Sequence, residues 1–362
     1  MQILFVLYIF GFGIVTLPRT LALSAGNHAW VSILLATAAA CVIAAVIAFT
    51  AHKSGKRRFP EFANAVLGLP LGKVVCFLFA ARLLLLAATR LNVFGGTMTE
   101  FMLPYTPQWL ILLVFVLICI YAAVKKFETQ ARLAEVLIFF MAIPIVYVIA
   151  MSLRSADFGN LLPLHNINTH NVTRSSFDAF FAFSGIELLF IAIPYVCLKN
   201  GANITKRSVL ITAVIGAAIA IGFASVIVVF GETTTANNNW QFLRMMDAVR
   251  FPGQFFTRQG ALIMCFWIVS AFAAISAEIF FASLLLKDVV NLGKRRWYVL
   301  AAAAVVFALV IAQTKSNIFS NHLQQINTYA AVAFMLVLPF VMLLIYPFRR
   351  RKINETIKNS NI

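Results

Sequence analysis

Four ionisable side chains stand inside otherwise apolar stretches: Arg82 and Arg90 in one, Glu187 in a second and Glu278 in a third. A charge within hydrocarbon is costly, so such groups pair with one another, line water or serve a ligand. Arg82 and Arg90 are eight residues apart, about two helical turns, and so share roughly one helix face. Glu187 follows Gly185 by two positions and is placed to pair with Arg90 if their helices touch. For each of the four, the plain alternative is a structural ion pair between helices.

Backbone groups offer a second kind of chemistry. YIFGFGIVTLPR (8–19) carries Gly11, Gly13 and Pro18 within eight positions, and AFFAFSGIELLFIAIPY (179–195) carries Ser184-Gly185 with Pro194 beyond it. A membrane helix interrupted there frees N–H and C=O groups, which hydrocarbon does not tolerate unpaired. N–H ends of such a break attract a carboxylate, and C=O ends attract an amine or cation. The competing reading is that glycine serves close helix packing and that Pro18 merely ends a helix. Two matched interruptions point instead to a central binding site. Its candidate residues are Gly11, Phe12, Gly13 and Ile14 from the first break and Phe183, Ser184, Gly185 and Glu187 from the second, with Arg90 facing them.

The elements that must position these residues are membrane helices. Hydrophobic residues make up 62% of the 362, charged residues 11%, and mean hydropathy is +0.92. Apolar runs near 20 residues recur along the chain, the length of a bilayer-crossing helix. About ten spans are predicted, at 1–24, 29–51, 73–103, 109–124, 131–151, 177–198, 208–230, 260–286, 297–313 and 327–347. The net charge of +17 falls mostly in alternate loops, which makes it a topology signal rather than a nucleic-acid footprint and places both termini in the cytoplasm. The first span starts almost at Met1, so it begins near the cytoplasmic surface or follows a leader that this sequence does not contain.

Enzyme chemistry has no motif here. P-loop, GxSxG and HExxH patterns are missing, and no His/Cys spacing suits a metal, so neither enzyme activity nor a cofactor or metal is expected. Cys41, Cys76, Cys119, Cys197 and Cys265 stand singly within spans and read as small apolar residues. All five histidines fall in predicted loops.

One domain is expected over 1–362. Five spans precede the long loop at 152–176 and five follow it, so the halves at about 1–151 and 177–347 point in opposite directions, as an inverted repeat requires. Residues 348–362 form a cytoplasmic tail. FPEFANAVLGLPLG (59–72) reads as an amphipathic surface helix opened by Pro60. Residues 231–260 read as a partly helical outer cap.

With both interruptions placed, the sequence resembles the spore germination permeases, the B-type subunits of nutrient germinant receptors within the amino acid–polyamine–organocation transporter superfamily. The resemblance is carried by GFGIVTLPR (11–19), FPEFANAVLGLPLGK (59–73), FSGIELLFIAIP (183–194) and FWIVSAF (266–272), and by their order along essentially the whole chain. It departs at Tyr195 and Thr257, where the family often has acidic residues. The resemblance implies an all-α, LeuT-like 5+5 inverted repeat with broken helices 1 and 6. It also implies residence in the spore inner membrane and assembly with A-type and C-type receptor subunits. A small nutrient, often an amino acid, would bind between the two breaks. Its carboxylate would meet the backbone N–H groups of Gly11, Phe12 and Gly13, and its amine and side chain would meet Phe183, Ser184 and Gly185. An active amino acid permease coupled to protons or sodium shares this fold and is the alternative reading.

Overall fold

The computed structural model describes residues 2–53, 57–162, 168–195, 203–248 and 259–360. Cys197, His165 and Thr257 lie outside these. Among the described residues the chain is helical throughout, with no strand. The elements are α1 (Gln2–Ala25), α2 (Ala29–Lys53), α3 (Phe59–Leu67), α4 (Leu69–Phe101), α5 (Gln108–Val124), α6 (Phe127–Ser152), α7 (Thr169–Phe181) and α8 (Leu188–Ala192). They continue with α9 (Ile204–Asn237), α10 (Gln241–Ala248), α11 (Gln259–Val290), α12 (Arg295–Lys315), α13 (Asn317–Ala331), a π-helical turn at Val332–Val337, and α14 (Leu338–Ser360).

Seven stretches are long and apolar enough to cross a membrane, the first running through both α1 and α2. The shorter apolar α5 and the divided α7–α8 bring the described membrane helices to the expected ten. Large apolar side chains such as Ile143 (68% exposed), Val146 (66%) and Tyr121 (69%) face outward, as a lipid-facing surface requires.

The two halves pack as mirror roles. The first helix of each half lies against the second helix of the other, α1 on α9 and α7 on α2. Equivalent helices also meet in pairs: α1 with α7, α2 with α9, and α4 with α11. The fourth and fifth helices of one half, α5 and α6, pack on α11, while α12 and α13 pack on α4. Such reciprocity is what a two-fold relation between oppositely oriented halves produces. Near their crossing, α2 and α9 are brought close by Gly216, where a Cβ would lie 2.2 Å from the Thr37 side chain.

Only one of the two expected interruptions forms. The sixth span breaks: α7 ends at Phe181 and α8 begins at Leu188. Between them tight turns close from Ser184 N to Phe181 O at 3.0 Å and from Ile186 N to Phe183 O at 3.1 Å. Gly185 sits at φ +119°, in the region that favours glycine. The first span does not break, and the expected interruption at Gly11-Phe12-Gly13 is corrected to an unbroken helix over Gln2–Ala25. Its glycines serve close approach instead. A Cβ on Gly11 would stand 1.8 Å from Ser270 Oγ on α11. Apart from the Ile14 carbonyl, which Pro18 leaves without its helical N–H, the continuous helix keeps its backbone groups paired internally, the cheapest state in hydrocarbon.

Other expectations hold or shift locally. α3 has a proline in its first turn and buries Phe59, Phe62 and Val66 while exposing Glu61, the amphipathic helix expected from 59–72, although Leu69–Gly72 already belong to α4. The cap after Gly231 is partly helical: Gly231 (φ 75°) kinks α9, whose last residues and α10 follow. α13 starts at Asn317, well before the expected span start at 327, because the Ser316 hydroxyl caps it by accepting from Phe319 N at 3.3 Å. That places His322 on a helix rather than in a loop.

Candidate functional site

A cavity of about 270 Å³ lies between α1, α4, α7 with its break, and α13. Each helix contributes a stripe at helical spacing. α1 gives Phe12, Gly13, Thr16, Leu17 and Thr20, and α4 gives Arg82, Leu86, Thr89, Arg90 and Val93. Asp178, Phe181, Ala182 and Ser184 come from the sixth span, and Gln324, Asn327, Thr328 and Ala331 from α13.

Behind the two arginines stands a buried ionic network. Arg90 Nη1 lies 2.9 Å from Glu278 Oε1, and Arg82 Nη2 lies 3.5 Å from Glu187 Oε1. The expected Glu187–Arg90 pairing is therefore corrected: the partners are crossed. The reason is local. Glu187 bends back so that Oε2 accepts the free N–H of Gly185 at 2.6 Å, which brings it to Arg82. Arg90 reaches instead toward α11. Its Nη2 donates to the Ser184 carbonyl at 3.0 Å, and its guanidinium lies 4.1 Å over the Tyr8 ring. Tyr8 closes this corner by donating to Glu278 Oε1 at 2.7 Å. Arg82 binds the Ser184 hydroxyl and Asn327 Oδ1, linking α4 to the break and to α13. Both glutamates are fully buried, so each carboxylate depends on its guanidinium.

The nine expected site residues fall into three groups. Phe12, Gly13, Arg90 and Ser184 line the cavity. Gly185 and Glu187 shape its wall from behind, with Gly185 against the Tyr8 ring. Gly11, Ile14 and Phe183 pack elsewhere. The Gly11 carbonyl accepts from Trp267 Nε1 at 2.8 Å, Ile14 fills the space over Gly222, and Phe183 is fully buried. Because α1 is continuous, the backbone N–H groups of Gly11, Phe12 and Gly13 are not set free for a carboxylate, which corrects that expectation. The Ser184 carbonyl is likewise engaged, by Arg90.

Sequence reasoning left Arg82, Glu278, Tyr8, Asp178 and Asn327 out of the site. Arg82 and Glu278 carried a signal, as intramembrane charges with no assigned partner. Tyr8 and Asn327 carried none, because a tyrosine in an apolar run and an asparagine in a polar segment are unremarkable alone.

The crossed halves, the broken sixth span and the central cavity define a LeuT-like transporter fold. A solved structure of Mhp1, described as a nucleobase-cation-symport-1 family transporter in a closed conformation with bromovinylhydantoin bound, shares it with a TM-score of 0.64 and 15% identity over 93% of this chain and 78% of that one. The family profile described as "Spore germination protein" matches residues 1–318, and the chain belongs to this family. Among its relatives, spore germination protein YndE of Bacillus subtilis (strain 168) is 26% identical over 78% of this chain and 77% of its own length. Spore germination protein GerQB of Bacillus cereus is 24% identical over 88% and 86%, and spore germination protein KB of Bacillus subtilis (strain 168) is 22% identical over 97% and 94%.

Proposed function

We propose that this chain is the nutrient-sensing, transporter-like subunit of a spore germinant receptor, and that it binds a small nutrient, an amino acid, in the cavity between α1 and the broken sixth span. The observation that carries the reading is the cavity itself, which brings buried guanidiniums, hydroxyls and the turn at Ser184 together in the middle of a membrane fold. Arg82 touches α13 and the break at once, so a ligand at its edge would favour one arrangement of these elements. Only a difference in affinity between two arrangements carries a signal.

On this reading the chain works in the inner membrane of the spore with both termini cytoplasmic, beside A-type and C-type receptor subunits. It acts as one domain of two inverted repeats, a view supported by the reciprocal packing of the halves. The family and the transporter fold favour a receptor or transporter over an enzyme.

The test is to reconstitute the chain in proteoliposomes and follow bound and accumulated labelled amino acids in parallel, with Thr89→Trp filling the cavity as control. Saturable binding without uptake, lost in the variant, supports a sensor. Concentrative uptake makes the chain a permease and overturns the pure sensor. Spores lacking the gene should lose germination to one nutrient.

A further inference from the structure

We propose that the cavity reads its ligand as a zwitterion through side chains, with the ligand's carboxylate on the guanidiniums of Arg82 and Arg90 and its ammonium at Asp178. This rests on the amino acid reading above and names the groups that would recognise it.

The backbone route for a carboxylate is closed. The N–H groups of α1 stay within a continuous helix, and the N–H of Gly185 is donated to Glu187. The cationic groups left on the cavity wall are Arg82 and Arg90, 1% and 5% exposed. Arg82 Nε has no hydrogen-bond partner, although the side chain is buried. An orphaned donor on a buried cation is expensive, and Nε would gain an acceptor if the guanidinium turned toward a bound carboxylate. The carboxylates that neutralise the two arginines, Glu187 and Glu278, do not line the cavity. The two arginines thus border the cavity while the carboxylates that neutralise them do not.

Among the described residues, Asp178 is the one acidic side chain on the wall. It lies six residues before Ser184, which touches both arginines. Asp178 and the two guanidiniums thus border one cavity, as a ligand carrying two opposite charges requires. The remaining wall is partly apolar, with Phe12, Leu17, Leu86 and Val93, and suits a small aliphatic side chain.

The experiment uses the full chain in nanodiscs. The twenty amino acids are screened for binding, and the tightest is compared with its carboxamide and with the carboxylic acid lacking the amine. Loss of the carboxylate should weaken binding at least about a hundredfold, since a site built on buried donors rejects a ligand that leaves them unpaired. Loss of the amine should cost about tenfold, and Asp178→Asn should abolish that second discrimination while leaving the melting temperature unchanged. Arg82→Lys, which keeps the charge but loses the fork, should weaken the amino acid about tenfold. The double variant Arg82→Gln/Glu187→Gln removes the pair together and should narrow the preference for acid over carboxamide to what Arg90 alone supplies. An amino acid that binds no better than its carboxamide, or an amine preference that survives in Asp178→Asn, overturns this assignment and leaves the nutrient site standing. Failure of all twenty to bind overturns both.

Discussion

Arg90 Nη1 meets Glu278 Oε1 at 2.9 Å, with Glu278 fully buried and the Tyr8 hydroxyl donating to the same oxygen at 2.7 Å. Three membrane helices, α1, α4 and α11, are tied at this one carboxylate oxygen. The second pair, Arg82 with Glu187, ties α4 to the break in the sixth span. The charges are few, and each holds a junction on which the cavity depends.

Glu278→Gln leaves the Arg90 guanidinium buried without a counter-charge. A loss of about 3–5 kcal/mol is expected. Thermal unfolding in detergent reads it, and Arg90→Met combined with Glu278→Met should recover most of the loss. A double variant as unstable as the single would show that the pair does not act as a unit.

Gly185→Ala meets two obstacles. The residue sits at φ +119°, and a Cβ would stand 1.9 Å from Tyr8 Cε1. Little monodisperse protein is expected by size-exclusion chromatography. Adding Tyr8→Ala removes the clash but not the backbone strain, and it also deletes the hydroxyl that donates to Glu278, so recovery should be partial. Full recovery would mean that the positive φ costs nothing.

Gly11→Ala separates packing from ligand binding. The added carbon would lie 1.8 Å from Ser270 Oγ, so the variant should unfold at lower temperature, and Ser270→Gly should restore it. Gly13→Ala crowds the end of the flexible Ile219 side chain, at 3.2 Å, and meets Ala182 at an ordinary contact distance of 3.6 Å. Relief of a mid-helix glycine, worth up to about 1 kcal/mol, should leave its stability near wild type. Equal damage from both would speak against close approach to α11 as the role of Gly11.

Trp267→Phe keeps the ring that lies edge-on to Phe12, 5.9 Å between centroids, but loses the bond from Nε1 to the Gly11 carbonyl. The expected cost is about 1 kcal/mol. A loss above about 3 kcal/mol would mean that the indole holds more than this carbonyl.

The two glycine motifs show how far the sequence could be read. Ser184-Gly185 and Gly11-Phe12-Gly13 look alike as text, and only the first breaks a helix. At Gly185 the neighbouring Glu187 supplies an acceptor for the freed N–H, and two arginines supply donors for the exposed oxygens. No such polar company surrounds Gly11 in sequence, and its neighbour Ser270 comes from a helix more than 250 residues away. The spans, the two halves and the surface helix at Phe59–Leu67 were legible because apolar length and proline placement are local signals. Which glutamate meets which arginine was not, since it depends on the rotation of α4 against α11 and on how tightly the break turns.

The π-helical turn at Val332–Val337 has a consequence for the last membrane helix. A π turn is an α-helix carrying one spare residue. Upstream of it Asn327 accepts from Arg82, and downstream the Tyr346 hydroxyl donates to the Lys53 carbonyl at 3.4 Å. The spare residue sets the phase between those two anchorages. Deleting a single residue there would let the helix straighten and rotate one end against the other by about a quarter turn, so the last helix would keep its length and hydropathy yet lose its mooring either on α4 or on α2.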